Sequence, residues 1–158
     1  MRLIFILLLW LNFGMALANE NAAVIAVIVP GQEASQSLKL TPNALKLIYL
    51  RKQLYWPSGK RIMPINLYSE HVLRSDFSRA VLGSLPKQQI DYWNGLYFNG
   101  IQPPHIVNSE ESVIRLVNET PGAVGYVNAC LVDHRVKALL WISDNTLSTI
   151  PPTINCAQ

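Results

Sequence analysis

The sequence predicts an α/β domain with a mixed, mostly parallel sheet flanked by helices. Three observations carry that expectation. Short β-branched or apolar runs at residues 22–29, 62–67, 105–107, 123–127 and 136–142 read as strands. Segments between them carry apolar residues at helical spacing, with cap residues at their starts. Strands that alternate with helices favour parallel pairs, because a parallel pair needs a long crossover connection.

The first run ends at Pro30-Gly31, a turn signal, and residues 32–40 are polar and loop-like. Thr41-Pro42 is an N-cap followed by proline at the first helical position. Leu45, Ile48 and Tyr49 then recur at helical spacing, so a helix runs to about Leu50. Residues 51–61 form a basic loop with Trp56, Pro57 and Gly59 as turn formers. Pro64 interrupts the second strand. Ser69 caps the next helix, which carries Val72, Leu73, Phe77, Ala80 and Val81 on one side and stops at Gly83. Ser84 starts a further helical stretch through Trp93, and residues 95–104 are a loop rich in Gly, Pro and aromatics. Ser109 is an N-cap, with Glu110 and Glu111 in the first turn, where the helix dipole favours negative charge. Val113, Leu116 and Val117 form that helix's apolar stripe. Pro121-Gly122 ends it, and Gly122 and Gly125 bracket an apolar strand, as expected where the backbone needs positive φ or close approach.

Met1-Arg2, the apolar residues 3–15 and Ala16-Leu17-Ala18 form the pattern of a cleaved secretory signal peptide, residues 1–18. The apolar run is short for a span of about 20 residues, and an uncleaved anchor is the alternative. The mature chain, residues 19–158, is then one exported domain, periplasmic or secreted, with no transmembrane anchor. Its charge is unevenly spread. Residues 39–87 hold nine Lys or Arg against Glu70 and Asp76, whereas residues 88–158 hold three against six acids. A basic segment favours anionic ligands or an acidic partner surface, and a solvated basic face is the alternative. Cys130 and Cys156 are an even pair, expected to bridge in an oxidising compartment and pin the C-terminal tail; two free thiols are the alternative.

Catalytic patterns do not emerge. His71, His105 and His134 have no metal-binding spacing, and the chain contains no GxSxG, Walker loop or CxxC. The expectation is a binding protein rather than an enzyme, with no cofactor, no metal and no nucleic acid as partner.

Several ordered segments resemble one family. Leu47-Ile48-Tyr49-Leu50-Arg51-Lys52 with Trp56 and Gly59-Lys60 is similar to its "IF.G....W..G" segment. Pro64-Ile65-Asn66, Arg74, Phe77 and Val81-Leu82-Gly83 follow its "pv......R..F...vlg" pattern. Tyr92-Trp93, Phe98-Asn99-Gly100 and Pro103-Pro104 resemble "yW....F.G...pP". Ser109, Val113, Val117 and the run from Pro121 to Val127 resemble "s...v...V...pGaIGYv". The family is that of phosphate ABC-transporter substrate-binding proteins, which have a type II periplasmic-binding-protein fold. The resemblance spans residues 22–129 and implies a single lobe, similar to the second lobe of the two that hold an oxyanion between them. It also implies a phosphate-like ligand and an ABC transporter as partner. Those relatives carry R-S-D-G-S-G-T before the helix that starts near Ser69; here Asn66-Leu67-Tyr68-Ser69-Glu70-His71-Val72 stands there.

The candidate oxyanion half-site is therefore the Ser69 hydroxyl, the amides of Glu70 and His71, and the Arg74 guanidinium. A helix N-terminus attracts anions, and arginine grips them bidentately, while the Glu70 carboxylate competes for the dipole. Alternatively Ser69 is only a cap and Arg74 pairs with Asp76 or Glu70. Arg51, Lys52, Lys60 and Arg61 form a second basic surface. Trp56, Tyr92, Trp93 and Phe98 stack a ligand or staple the core, and Tyr126 faces the core or the lobe's mouth. Two functions follow. One is an exported solute-binding protein, whose cleft a homodimer would complete. The other is a ligand-free lobe acting as an interaction module of the cell envelope.

Overall fold

The computed structural model describes residues 23–32 and 38–156, and the expected leader lies outside them. In chain order the elements are β1 (Ile25–Pro30), α1 (Pro42–Tyr49), β2 (Met63–Leu67), α2 (Val72–Phe77), α3 (Ile90–Tyr97), β3 (His105–Val107), α4 (Glu110–Glu119), β4 (Ala123–Asn128), β5 (Val136–Ser143) and β6 (Thr146–Ser148). The strands form one sheet in the order β3-β2-β4-β1-β5-β6.

A mixed α/β sheet flanked by helices is what the sequence predicts, but the balance of strand directions differs. β2 runs parallel to β3 and β4. β1 runs antiparallel to β4 and β5, and β5 to β6. The parallel part is thus the β3-β2-β4 half, and antiparallel pairings are the majority. Every residue of β1 is buried. A strand buried on both faces shows one continuous apolar run whichever way its neighbours point, so its direction leaves no trace in the pattern. β6 was not expected from the sequence. It follows Asp144-Asn145, both at positive φ (49° and 60°), the two-residue hairpin turn that suits such residues.

Local chemistry explains the elements that position the candidate site. Thr41 caps α1 through Oγ1, which accepts from the Ala44 amide at 3.1 Å, and Leu45, Ile48 and Tyr49 are buried. Pro64 is tolerated inside β2 because of strand alternation. The Met63 amide donates to the Gly122 carbonyl on the β4 side, so Pro64's missing N–H faces the β3 side, where pairing begins only at Ile65. Ser109 caps α4, its Oγ accepting from the Ser112 amide at 3.1 Å.

The two glycines of the Pro121–Val127 run serve different needs. Gly122 has φ +79°, and a Cβ there would collide with the Arg61 carbonyl. Gly125 lets α4 lie directly on β4, since a Cβ would sit 2.5 Å from Val113 Cγ1 and 3.0 Å from Val117 Cγ2. The core beneath is continuous from β1 through Tyr49, Phe77, Val113 and Tyr126. Cys130 and Cys156 form a disulfide. It ties the irregular tail to the short helical turn after β4 and closes a 26-residue separation, worth about 3.5 kcal/mol on the chain-entropy account.

Candidate functional site

The β2–α2 connection carries Tyr68, Ser69, Glu70 and His71, and the cap differs from the expected one. His71 is the N-cap of α2, its Nδ1 accepting from the Leu73 amide at 3.2 Å. Ser69 instead donates from Oγ to Glu70 Oε1 at 2.6 Å, two residues before the cap. An imidazole nitrogen two bonds from Cβ reaches the same amide that a serine oxygen would, so His71 displaces Ser69 from the cap. The hydrogen bond from Ser69 holds the exposed Glu70 carboxyl below its usual range. Val72, expected in the apolar stripe, is exposed; the buried face of α2 is Leu73, Arg74 and Phe77. The helix continues as a wider turn over Ser78–Leu82 and stops at Gly83, φ +73°.

Arg74 is the unusual member of that buried face. It is 8 % exposed, and among the described residues Nε and Nη1 are buried without a hydrogen-bond partner. Neither expected ion pair forms: Asp76 pairs with Arg79 at 3.1 Å, and Glu70 holds Ser69. Burial pushes the guanidinium below its usual range, and the phenols of Tyr126 and Tyr49 oppose that push. Both phenols are already committed. Tyr49 donates to the Ile65 carbonyl at 2.9 Å. Tyr126 donates to Asn66 Oδ1 at 3.0 Å and accepts from the Leu67 amide at 3.3 Å. Phe77 stacks on Tyr126 with centroids 3.8 Å apart. Burial raises both phenol pKa values. The outcome is an aromatic, hydrogen-bonded platform next to a cation whose donors are unused.

Tyr126 therefore faces the core. The sequence offered Tyr126 as facing the core or the lobe's mouth, but did not join it to Tyr49 and Asn66; the three stand in separate segments of the family resemblance, and nothing in their spacing says that they meet.

The basic surface divides. Arg51 and Arg61 line a cavity of about 580 Å³ at the opposite end of β2, whereas Lys52 and Lys60 are exposed outside it. The aromatics divide too. Trp56 is buried and donates to the Gly122 carbonyl at 3.0 Å. Tyr92 donates to the Leu50 carbonyl at 2.6 Å and meets Trp93 edge-on. These are staples, and Phe98 is 88 % exposed. Among the described residues no cluster of His, Cys, Asp and Glu could hold a metal. None of their helices is long and apolar enough to cross a membrane.

No protein-family model matches the chain, and no curated protein matches it by sequence. Solved structures do. An ABC-type phosphate transport receptor from Vibrio cholerae is similar over 73 % of this chain at 22 % identity, with a TM-score of 0.55. The chain shares the fold of part of the phosphate ABC-transporter substrate-binding proteins. A putative phosphate ABC-transporter substrate-binding protein from Clostridium perfringens, solved with bound phosphate, gives a TM-score of 0.59 at 21 % identity over 73 % of the chain. A possible phosphate binding protein from Planctomyces limnophilus is similar over 84 %, at 14 % identity and a TM-score of 0.55. This chain spans 46 %, 44 % and 47 % of those three proteins, less than half of each. The likeness establishes the fold.

Proposed function

We propose that the protein is an exported solute-binding module for phosphate or a similar small oxyanion. Arg74 supplies the charge; the Ser69 hydroxyl, bonded to Glu70 Oε1 at 2.6 Å, and the His71 amide, bonded to the Tyr68 carbonyl at 3.1 Å, exchange those partners for the anion, with the Glu70 amide as the third donor. The single observation that carries this reading is the Arg74 guanidinium, buried among the described residues with two unpartnered donors and no carboxylate to answer it. Leaving such donors unmet costs about 1–3 kcal/mol each, and an oxyanion accepts from a guanidinium in the bidentate geometry it offers. The fold supports the same reading, since one similar structure was solved with bound phosphate. The signal-like leader and the disulfide support export, and an ABC transporter is the partner the fold suggests.

The second reading is a ligand-free interaction module of the cell envelope. It draws on α3, which buries no residue and exposes Ile90 and Tyr97, with Phe98 exposed at its end. A second copy completing the cleft would belong to the first reading.

Thermal melts of residues 19–158 separate the two. At 100 times its dissociation constant, phosphate adds about 2.7 kcal/mol of stability. A rise with phosphate that sulfate and chloride at matched ionic strength do not give, and that Arg74→Ala removes relative to its own baseline, supports oxyanion binding. No rise, or an equal rise with every anion, overturns it.

A further inference from the structure

The two ends of the parallel strands carry different chemistry. The oxyanion half-site lies beyond the C-terminal end of β2. The N-terminal ends of β2, β3 and β4 open instead on the 580 Å³ cavity.

Arg51 enters that cavity from a strained position. It follows the C-cap of α1 with φ +59°, a left-handed conformation that helix ends usually give to glycine. Its amide donates to the Ile48 carbonyl at 2.9 Å, so the conformation belongs to the helix end. A non-glycine residue there marks a side chain worth its strain. Arg51 Nε is buried and unpartnered among the described residues. Arg61 also lines the cavity, and neither arginine forms an ion pair with a described residue. Their charges repel: Arg61 adds to the burial that pushes the Arg51 guanidinium down. Among the described residues no Asp or Glu lines the cavity, and its remaining wall is largely apolar, with Ile101, Pro103 and Pro121 alongside the polar Gln102, His105 and Thr120.

Two cations without a counter-charge call for an anion. The size and the wall describe what carries it. Small-molecule sites run to about 300–1,000 Å³ and are mostly apolar with a few placed polar groups. A bare inorganic anion would leave most of 580 Å³ empty. We propose that this cavity is a second binding site, for a small organic carboxylate whose carboxyl group pairs with Arg51 and Arg61 while its apolar body lies against Ile101, Pro103 and Pro121.

The test is an NMR titration of the ¹⁵N-labelled mature protein with phenylacetate, using phenylacetamide and inorganic phosphate as comparators. Phenylacetate should give saturable shifts at the amides of Arg51, Leu54, Arg61 and Ile101. The neutral amide should bind at least tenfold more weakly there, as should phenylacetate to Arg61→Gln. Arg61 is exposed, so that variant keeps the fold, and Arg51→Gln provides a second variant. Failure to saturate overturns the proposal. So does equal affinity for phenylacetamide, unchanged affinity in both variants, or phosphate binding these amides as tightly as phenylacetate. Arg74 enters none of these arms, so failure here leaves the oxyanion reading standing.

Discussion

Replacing Arg74 with methionine should make the ligand-free protein more stable. The guanidinium is 8 % exposed, and two of its donors lie buried without partners among the described residues. Each such donor costs about 1–3 kcal/mol, and exchanging buried charges for apolar groups of similar volume is neutral or stabilising by about 1–4 kcal/mol. Methionine keeps an unbranched stem of similar reach on the buried face of α2, so no large cavity opens. The expected gain is about 1–3 kcal/mol in phosphate-free buffer, equivalent to roughly 3–10 °C for a chain of this length. Urea melts fitted for midpoint and slope would measure it, with an unchanged slope showing that the folded state stays as compact. Arg74→Ala should fall below Arg74→Met, because it removes the packing as well as the charge. A methionine variant less stable than the parent in phosphate-free buffer would refute the reasoning: the guanidinium would then be satisfied in the native fold and be a structural group. Stability given up at a binding position is the pattern expected where function needs an unmet charge.

Two further outcomes follow from the packing and the buried phenols. Gly125→Ala should cost about 1–3 kcal/mol, because its Cβ would sit 2.5 Å from Val113 Cγ1 on a buried surface. Val113→Ala should relieve that cost, making the double variant more stable than the two single losses predict by at least 0.5 kcal/mol; strict additivity in urea melts would exclude the contact. Stability should also fall as pH rises above about 10. Burial raises the pKa values of Tyr49 and Tyr126 above the unfolded value near 10, so the native state holds protons that the unfolded chain releases. Their contribution is fully present below pH 10 and is lost above it, at up to about 1.4 kcal/mol per pH unit for each group. Tyr126→Phe should flatten the decline in urea midpoint between pH 8 and 11, and an unchanged slope would remove Tyr126 from the account.

Much of this chain was legible in the sequence, wherever structure is local. Thr41 and Ser109 cap their helices because a hydroxyl can reach an amide three residues on without help from the rest of the fold. The Gly122–Gly125 spacing announced a positive φ and a close approach, and each glycine supplies one of them. The cysteine pair could be read from its even count and the oxidising compartment that the leader pattern leads one to expect. Arg74 could be singled out as a residue, but not its isolation.

Only the tertiary structure decided the remainder, for reasons of distance. The direction of β1 depends on neighbours about a hundred residues away in sequence, and a strand buried on both faces carries no mark of their direction. His71 rather than Ser69 caps α2 because the helix begins two residues later than a serine-first rule assumes. Arg74 lost its expected carboxylates because Asp76 turned to Arg79 and Glu70 to Ser69, choices set by which faces of α2 are buried. Tyr49, Asn66 and Tyr126 come from three elements and meet only when α1, β2 and β4 pack together. Sequence spacing thus determined most of the elements, while β6, the start of α2, the pairing of strands and the solitude of the buried cation follow from contacts that exist only once the chain has folded.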